Sequence, residues 1–278
     1  GLILLIVEIK SRSEKRFNDT SRHYRSPTHK EIRGIKAFLL IIICIFPVFC
    51  GFFVPVSILV TNIHDFYGLE ELLEIMQVLK NTLIVSITGS LIIITTAIFL
   101  SCSTALTDRK FLKNIAGISA TGYAFPGAML AIGVLVSVGK MDQILDYLFS
   151  LTFDQRPQFY LSGTISVLLF AYLVRFLAVG YGSTSSGLSK ISTNLNWASR
   201  TLSTSFSNTV IKVSIPLIKK SIIAGTLLAF VDITKELPMT LLLRPFNFET
   251  LATYTYQYAH DELMGQASLP ALIIILFG

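Results

Sequence analysis

Apolar residues in this chain come in long runs, and the polar residues collect between them. A helix needs about 20 apolar residues to cross the ~30 Å hydrocarbon core at 1.5 Å per residue. Five runs meet that length, at 35–60, 82–103, 115–138, 162–181 and 221–243, and a sixth begins near 267. The opening residues 1–7 (Gly-Leu-Ile-Leu-Leu-Ile-Val) read as the end of a preceding span, and 267–278 as an incomplete last one. The predicted fold class is therefore all-α, a polytopic transmembrane helical bundle occupying 35–278.

The connecting segments predict the rest. Residues 8–34 form a basic linker. Residues 61–81 carry Asp65, Glu70, Glu71 and Glu74, with a short amphipathic helix expected through Leu69, Leu72, Leu73 and Met76. Segments 140–161 and 244–266 read as further loops on the same side. Segment 182–220 is long, polar and free of acids, with apolar residues at helical spacing (Leu188, Ile191, Leu195; then Phe206, Val210, Val213). A basic, partly helical loop held at a membrane face is a docking surface for another protein.

Composition agrees. Only 14% of residues are charged and 52% are hydrophobic, with a mean hydropathy of +0.66, against about 25% charged in soluble domains. The net charge of +6 does not indicate nucleic acid, because the basic residues flank apolar runs instead of forming one face. Seventeen of the 23 Lys and Arg fall in 8–36, 104–114 and 182–220, and four in the opposite loops. By the positive-inside rule the three basic segments are cytoplasmic. Cys44, Cys50 and Cys102 lie inside apolar runs and read as small buried hydrophobes.

Two spans carry chemistry unusual for a membrane. In 123–133 (Tyr-Ala-Phe-Pro-Gly-Ala-Met-Leu-Ala-Ile-Gly), Pro126 and Gly127 must interrupt the helix. An interrupted helix at membrane depth is tolerated against protein or a water-filled cavity. That makes the segment a candidate pathway wall, with a packing kink as the equal alternative. In 221–243, Asp232, Lys235 and Glu236 precede Pro238. Three ionisable groups so close are too costly to face lipid, so they should point into the bundle, with Lys235 paired to an acid. Arg175 sits inside the fourth run, where snorkelling and function are equally good readings. On the outer side, Arg244, Tyr254, Tyr256, Tyr258, His260, Asp261 and Glu262 form a second candidate group. Interfacial anchoring or partner docking is the preferred reading there, ahead of metal ligation. Gly182-Ser-Thr-Ser-Ser-Gly187 has the glycine spacing of a phosphate loop but lacks the following Lys-Ser/Thr, and is rejected.

Trp197-Ala198-Ser199, then Ser203, then Val213, then Ile215-Pro216 resembles the cytoplasmic loop of permease subunits of ATP-binding-cassette (ABC) importers. That family carries Glu-Ala-Ala, three residues, Gly, nine residues, a hydrophobic residue, one residue, Leu-Pro. Here Trp197 stands in place of the Glu and Ser203 in place of the Gly. Residues 235–253 (Lys-Glu-Leu-Pro-Met-Thr-Leu-Leu-Leu-Arg-Pro-Phe-Asn-Phe-Glu-Thr-Leu-Ala-Thr), with 123–133, 171–178 and 256–262, look like the ferric-iron permeases of that superfamily. The resemblance implies a type I importer transmembrane domain in the bacterial inner membrane, the second half of a fused two-domain permease. It further implies Fe3+ as cargo, a periplasmic substrate-binding protein, and a separate ATPase dimer that holds ATP and Mg. The chain itself would bind no cofactor and catalyse no reaction. Alternatives are an ABC permease for thiamine, a polyamine or a phosphonate, and an ion-coupled secondary transporter using Asp232, Lys235 and Glu236.

Overall fold

The computed structural model describes residues 34–63, 67–107, 110–119, 121–153, 160–191 and 206–278. The described residues form helices joined by turns, with no strand among them. The helices are α1 (Ile35–Ile63), α2 (Leu69–Leu106), α3 (Lys110–Ser119), α4 (Gly127–Phe153) and α5 (Ile165–Ser189). They continue with α6 (Lys219–Thr234), α7 (Pro238–Leu243), α8 (Leu251–His260) and α9 (Met264–Phe277). Four are long and apolar enough to cross a membrane, and a bent pair, Val210–Leu217 with α6, adds a fifth. The chain is a multi-pass membrane protein.

The centre is a three-helix packing of α2, α5 and α6. On α2 the buried stripe is Ile75, Val78, Thr82, Val85, Gly89, Ile93 and Ala97, at steps of three and four residues, which is one helical face. Small residues bring the helices close: a Cβ on Gly180 would sit 3.0 Å from Ile93 Cγ2 and 3.1 Å from Ala97 Cβ. Hydroxyls supply the polar links. Thr234 Oγ1 donates to Ser86 Oγ (3.2 Å), and the hydroxyls of Tyr172 and Thr240 bond at 2.5 Å.

Several expectations are corrected. No separate amphipathic helix precedes the second span, because α2 runs unbroken for 38 residues. At about 57 Å it outreaches the hydrocarbon core. Leu69, Leu72, Leu73 and Met76 lie on its exposed side, and the nearby Ile75 and Val78 are the buried pair. The third crossing is α4, displaced from 115–138 to Gly127–Leu151, so the expected loop 140–161 is largely helix. Asp142, expected in that loop, is buried and accepts hydrogen bonds from the backbone N–H groups of Leu161 (2.7 Å) and Ser162 (2.9 Å). The Gly182–Gly187 stretch is part of the end of α5, so the expected loop begins about two turns later, after Ser189. Cys44 and Cys50 are exposed on α1, and only Cys102 is buried. In α1, Pro47 and Pro55 bracket a π-helical turn, Phe49–Phe53. In that wider turn the Val54 N–H bonds the Phe49 carbonyl, directly before Pro55, which has no N–H to give.

The second half of α1 packs on α9, and α9 on α8. Tyr67 pins α9 at its start: its hydroxyl donates to the Gly265 carbonyl (2.7 Å) and accepts from the Leu269 N–H (3.1 Å). Burial raises the Tyr67 phenol above its ordinary value, against a smaller lowering by the Leu269 N–H. A raised folded value means this contribution is complete below the ordinary phenol range and is lost as pH rises through it. Tyr67→Phe removes both bonds and should cost about 1 kcal/mol. Chemical unfolding of the purified protein at neutral pH checks this, and an unchanged midpoint would contradict it.

Candidate functional site

Two helix breaks meet in the bundle. The first follows α3: Gly122–Ala124 forms a 3-10 turn, Phe125 is extended, and α4 starts at Gly127. Pro126 cannot continue the preceding helix and restricts the residue before it to extended backbone, which is where Phe125 lies (φ −85°, ψ 140°). The second break is 235–237, between α6 and α7, with Pro238 opening α7.

Arg175, on α5, joins them. Its Nη1 donates to Glu236 Oε1 at 3.3 Å, and both side chains are largely buried, 19% and 7% exposed. The same Glu236 oxygen accepts from the Met239 N–H (3.3 Å) in the first turn of α7. A Cβ on Gly127 would lie 1.8 Å from Arg175 Nη1 and 2.8 Å from Glu236 Oε1. A Cβ on Gly122 would meet the Val174 carbonyl oxygen at 2.1 Å. The first break thus packs against α5 at Gly122 and against the ion pair at Gly127, with no room for a side chain at either, while the second break supplies Glu236. Arg175 also stacks its guanidinium near Phe176 (5.5 Å), and its Nε has no partner.

This geometry resolves the expected Asp232, Lys235 and Glu236 cluster into two pairs. Lys235 Nζ bonds Asp232 Oδ1 at 2.9 Å, as a pairing with an acid requires. However, Lys235 does not point inward, since its side chain is 57% exposed. The 3.6-residue period explains this: Asp232 and Lys235 share a face at i, i+3, while Glu236 lies past the end of α6 and turns inward. Arg175 is the partner that inspection of the sequence alone missed. A charge deep in an apolar run was the available signal. An open apolar groove of about 730 Å3 runs beside the first break, with Phe125, Met129, Val134, Phe170 and Val174 on its walls.

The outer group is not one cluster. Tyr254, Tyr256 and Tyr258 lie on α8, whose start is set by a capping box: Thr250 accepts from the Thr253 N–H, and Thr253 Oγ1 from the Thr250 N–H. Thr250-x-x-Thr253 in the sequence was the unread sign of it. Helical geometry brings Tyr254 against Tyr258 (4.6 Å) and Tyr256 against His260 (5.9 Å) as tilted ring pairs, on different faces. Tyr254 is buried and donates to Glu74 Oε2 at 3.2 Å. Burial, with neighbouring Tyr258 and Glu74, pushes its phenol well above the usual range, so it is a protonated packing group. Asp261 and Glu262 are exposed in the turn after α8, with His260 3.4 Å from Asp261. Among the described residues no three His, Cys, Asp or Glu are arranged to hold a metal ion.

Arg244 belongs to a braced turn. It forms an ion pair with Glu249, and its Nη1 donates to the Phe248 carbonyl (3.3 Å). The Phe248 N–H donates to Pro245 (3.2 Å), and Asn247 takes a left-handed φ of 58°. Phe248 packs on the core while Phe246, two residues before it, is fully exposed.

Trp197, Ala198, Ser199 and Ser203 lie outside the described residues. Val213, Ile215 and Pro216 fall on the short segment Val210–Leu217, which meets α6 at 73°. The segment therefore runs across the direction of the span it feeds.

No protein-family model and no curated protein matches the chain. Solved structures do. A chain of the crystal structure of a bacterial alginate ABC transporter, in complex with alginate pentasaccharide-bound periplasmic protein, superposes with a TM-score of 0.66 at 14% identity. It covers 87% of this chain and 90% of that one. A second, from a bacterial ABC transporter involved in the import of the acidic polysaccharide alginate, gives a TM-score of 0.53 at 13% identity, covering 87% and 93%. The fold is that of these ABC-transporter chains.

Proposed function

We propose that this chain is the transmembrane permease subunit of an ABC importer in a bacterial inner membrane. It would take a solute from a soluble binding protein outside and be driven by a separate ATPase inside. The likeness of fold to ABC-transporter chains over nearly the whole length carries this reading. The transverse segment Val210–Leu217 supports a lever at the cytoplasmic side, because it carries Val213, Ile215 and Pro216, the end of the Trp197 to Pro216 spacing of the ATPase-coupling loop. The two breaks that meet at Arg175 and Glu236 support a moving pathway wall, since interrupted helices can rearrange where a continuous ladder cannot. The chain is a conduit and supplies no chemistry of its own. The apolar groove beside Phe125 and the unburied face of α1 suit the first half of a two-domain permease.

For the cargo we propose Fe3+, on the resemblance of 235–253 to ferric-iron permeases. The braced turn around Phe246, rather than the tyrosines of α8, is then the surface offered to the binding protein. A second reading, an ABC permease for another solute, is favoured by the neighbours, which belong to alginate transporters.

Proteoliposomes holding the full permease, its ATPase and its binding protein test both. Uptake of radiolabelled Fe3+ that needs ATP and all three components is the expected result. ATP-dependent uptake of another solute without iron would remove the cargo and keep the importer. Uptake driven by an ion gradient with no ATPase would remove the importer. In the same system Phe246→Ala should lower binding-protein-stimulated ATP hydrolysis on the order of tenfold. Its unfolding midpoint should not move, because Phe246 makes no packing contact to lose.

A further inference from the structure

At the Lys/Arg-rich end of the bundle, the end of α5 and the start of α6 leave a cleft of about 580 Å3. Its wall combines three lysines, Lys190, Lys219 and Lys220, with the apolar Ile191, Leu217 and Ile218. No acidic residue lines it, and among the described residues none of the three lysines makes an ion pair. Three uncompensated like charges around one concavity repel each other, and an anion between them relieves that repulsion. The apolar part of the wall matters as much. Leu217 is an exposed hydrophobic residue next to Lys219, so the cleft offers both a cationic rim and a greasy edge. That pairing fits a molecule with a charged head and hydrocarbon chains better than it fits a soluble anion.

Position agrees. α5 is long and apolar enough to cross the membrane, α6 counts as a span together with Val210–Leu217, and the cleft lies at the lysine-bearing ends of α5 and α6. The positive-inside rule sets that surface against the cytoplasm, where anionic lipids attract Lys and Arg near helix ends. We propose that this cleft binds the phosphate-bearing headgroup of an anionic lipid of the cytoplasmic leaflet. The lipid would sit against the 73° bend between Val210–Leu217 and α6, so its binding would brace the lever. The binding site rests on the membrane orientation of the chain and not on its cargo.

Native mass spectrometry of the full-length protein in detergent tests this, with titration by phosphatidylglycerol or phosphatidylcholine. The intact protein should retain phosphatidylglycerol in clear preference. Each lysine removed should weaken retention about fivefold, so Lys190→Gln loses about fivefold and the Lys190→Gln/Lys219→Gln/Lys220→Gln variant on the order of a hundredfold. The corresponding arginine variants should keep the preference, and Lys80→Gln/Lys140→Gln on the opposite side should leave it unchanged. Equal retention of the two lipids by the intact protein would overturn the proposal without any variant. So would full competition by millimolar inorganic phosphate, which would make the site one for a soluble anion. Loss of ATPase co-purification from the triple variant, with phosphatidylglycerol retention intact, would make the cleft a protein interface instead.

Discussion

Replacing Glu236 with leucine destabilises the protein by about 3–5 kcal/mol, the cost of leaving one member of a buried ion pair uncompensated. Three observations set that size. The carboxylate is almost fully buried, it is the acceptor for Arg175, and it also accepts from the Met239 N–H that starts α7. Losing it strands a guanidinium whose Nε already lacks a partner. Arg175→Met should cost a similar amount. The double variant Arg175→Met/Glu236→Leu should recover most of the loss, since removing both charges can be neutral or better. Thermal unfolding of the four proteins in detergent gives the coupling energy directly. Additive losses would show that the pair is no unit. Transport separates the roles further. If the pair only holds the fold, the double variant transports normally. If it also governs the pathway, the double variant is stable and slow, and that is the outcome expected.

Gly122→Ala should be the most damaging added methyl group among the described glycines. Its Cβ would meet the Val174 carbonyl oxygen at 2.1 Å, and backbone cannot step aside as a side chain can. The 3-10 turn would have to lift off α5, at a cost of about 1–3 kcal/mol for overpacking. Gly127→Ala makes an informative contrast. Its closest contact, at 1.8 Å, is the flexible tip of Arg175. The arginine would swing away and release Glu236, so the loss should appear in transport more than in stability. It should shrink in an Arg175→Met background, where only the Glu236 Oε1 contact at 2.8 Å remains. Gly133→Ala is the internal control. It lies inside α4 with open space around it, so alanine should be neutral or stabilising by up to ~1 kcal/mol. Unfolding midpoints of the three variants decide the order, and equal losses at Gly122 and Gly133 would refute the close-approach argument.

Hydropathy runs alone gave the class of the molecule, because lipid admits so few ways to satisfy a backbone. A chain whose apolar runs are about 20 residues long has helices as its economical solution. Pro126 and Pro238 likewise marked both helix breaks, since a residue with no N–H cannot extend a helix past its first turn. The inward lean of Glu236 and the pairing of Lys235 with an acid were also legible. Boundaries were not. Charges at Glu70, Glu71 and Glu74 suggested a loop, yet they sit on the long α2, where the first-turn acids Glu70 and Glu71 favour the positive end of the helix. Helix length beyond the membrane has no hydropathy signature. The tyrosines of 254–258 were misleading for a related reason: alternation suggested one surface, while a helix puts neighbours two apart on opposite sides.

Sequence by itself thus determined that the chain crosses a membrane several times, which of its segments are interrupted, and the end at which its positive charge collects. These follow from solvent transfer and from backbone chemistry, and both act locally along the chain. Only the tertiary structure decided that Arg175 is the partner of Glu236, 61 residues away in sequence, and that the first break packs on α5 at Gly122 and on that pair at Gly127. Only the fold brings Lys190 beside Lys219 and Lys220. Partners so far apart in sequence are chosen by which helices pack together. That choice depends on the shapes of facing side chains and leaves no periodic trace in either segment alone.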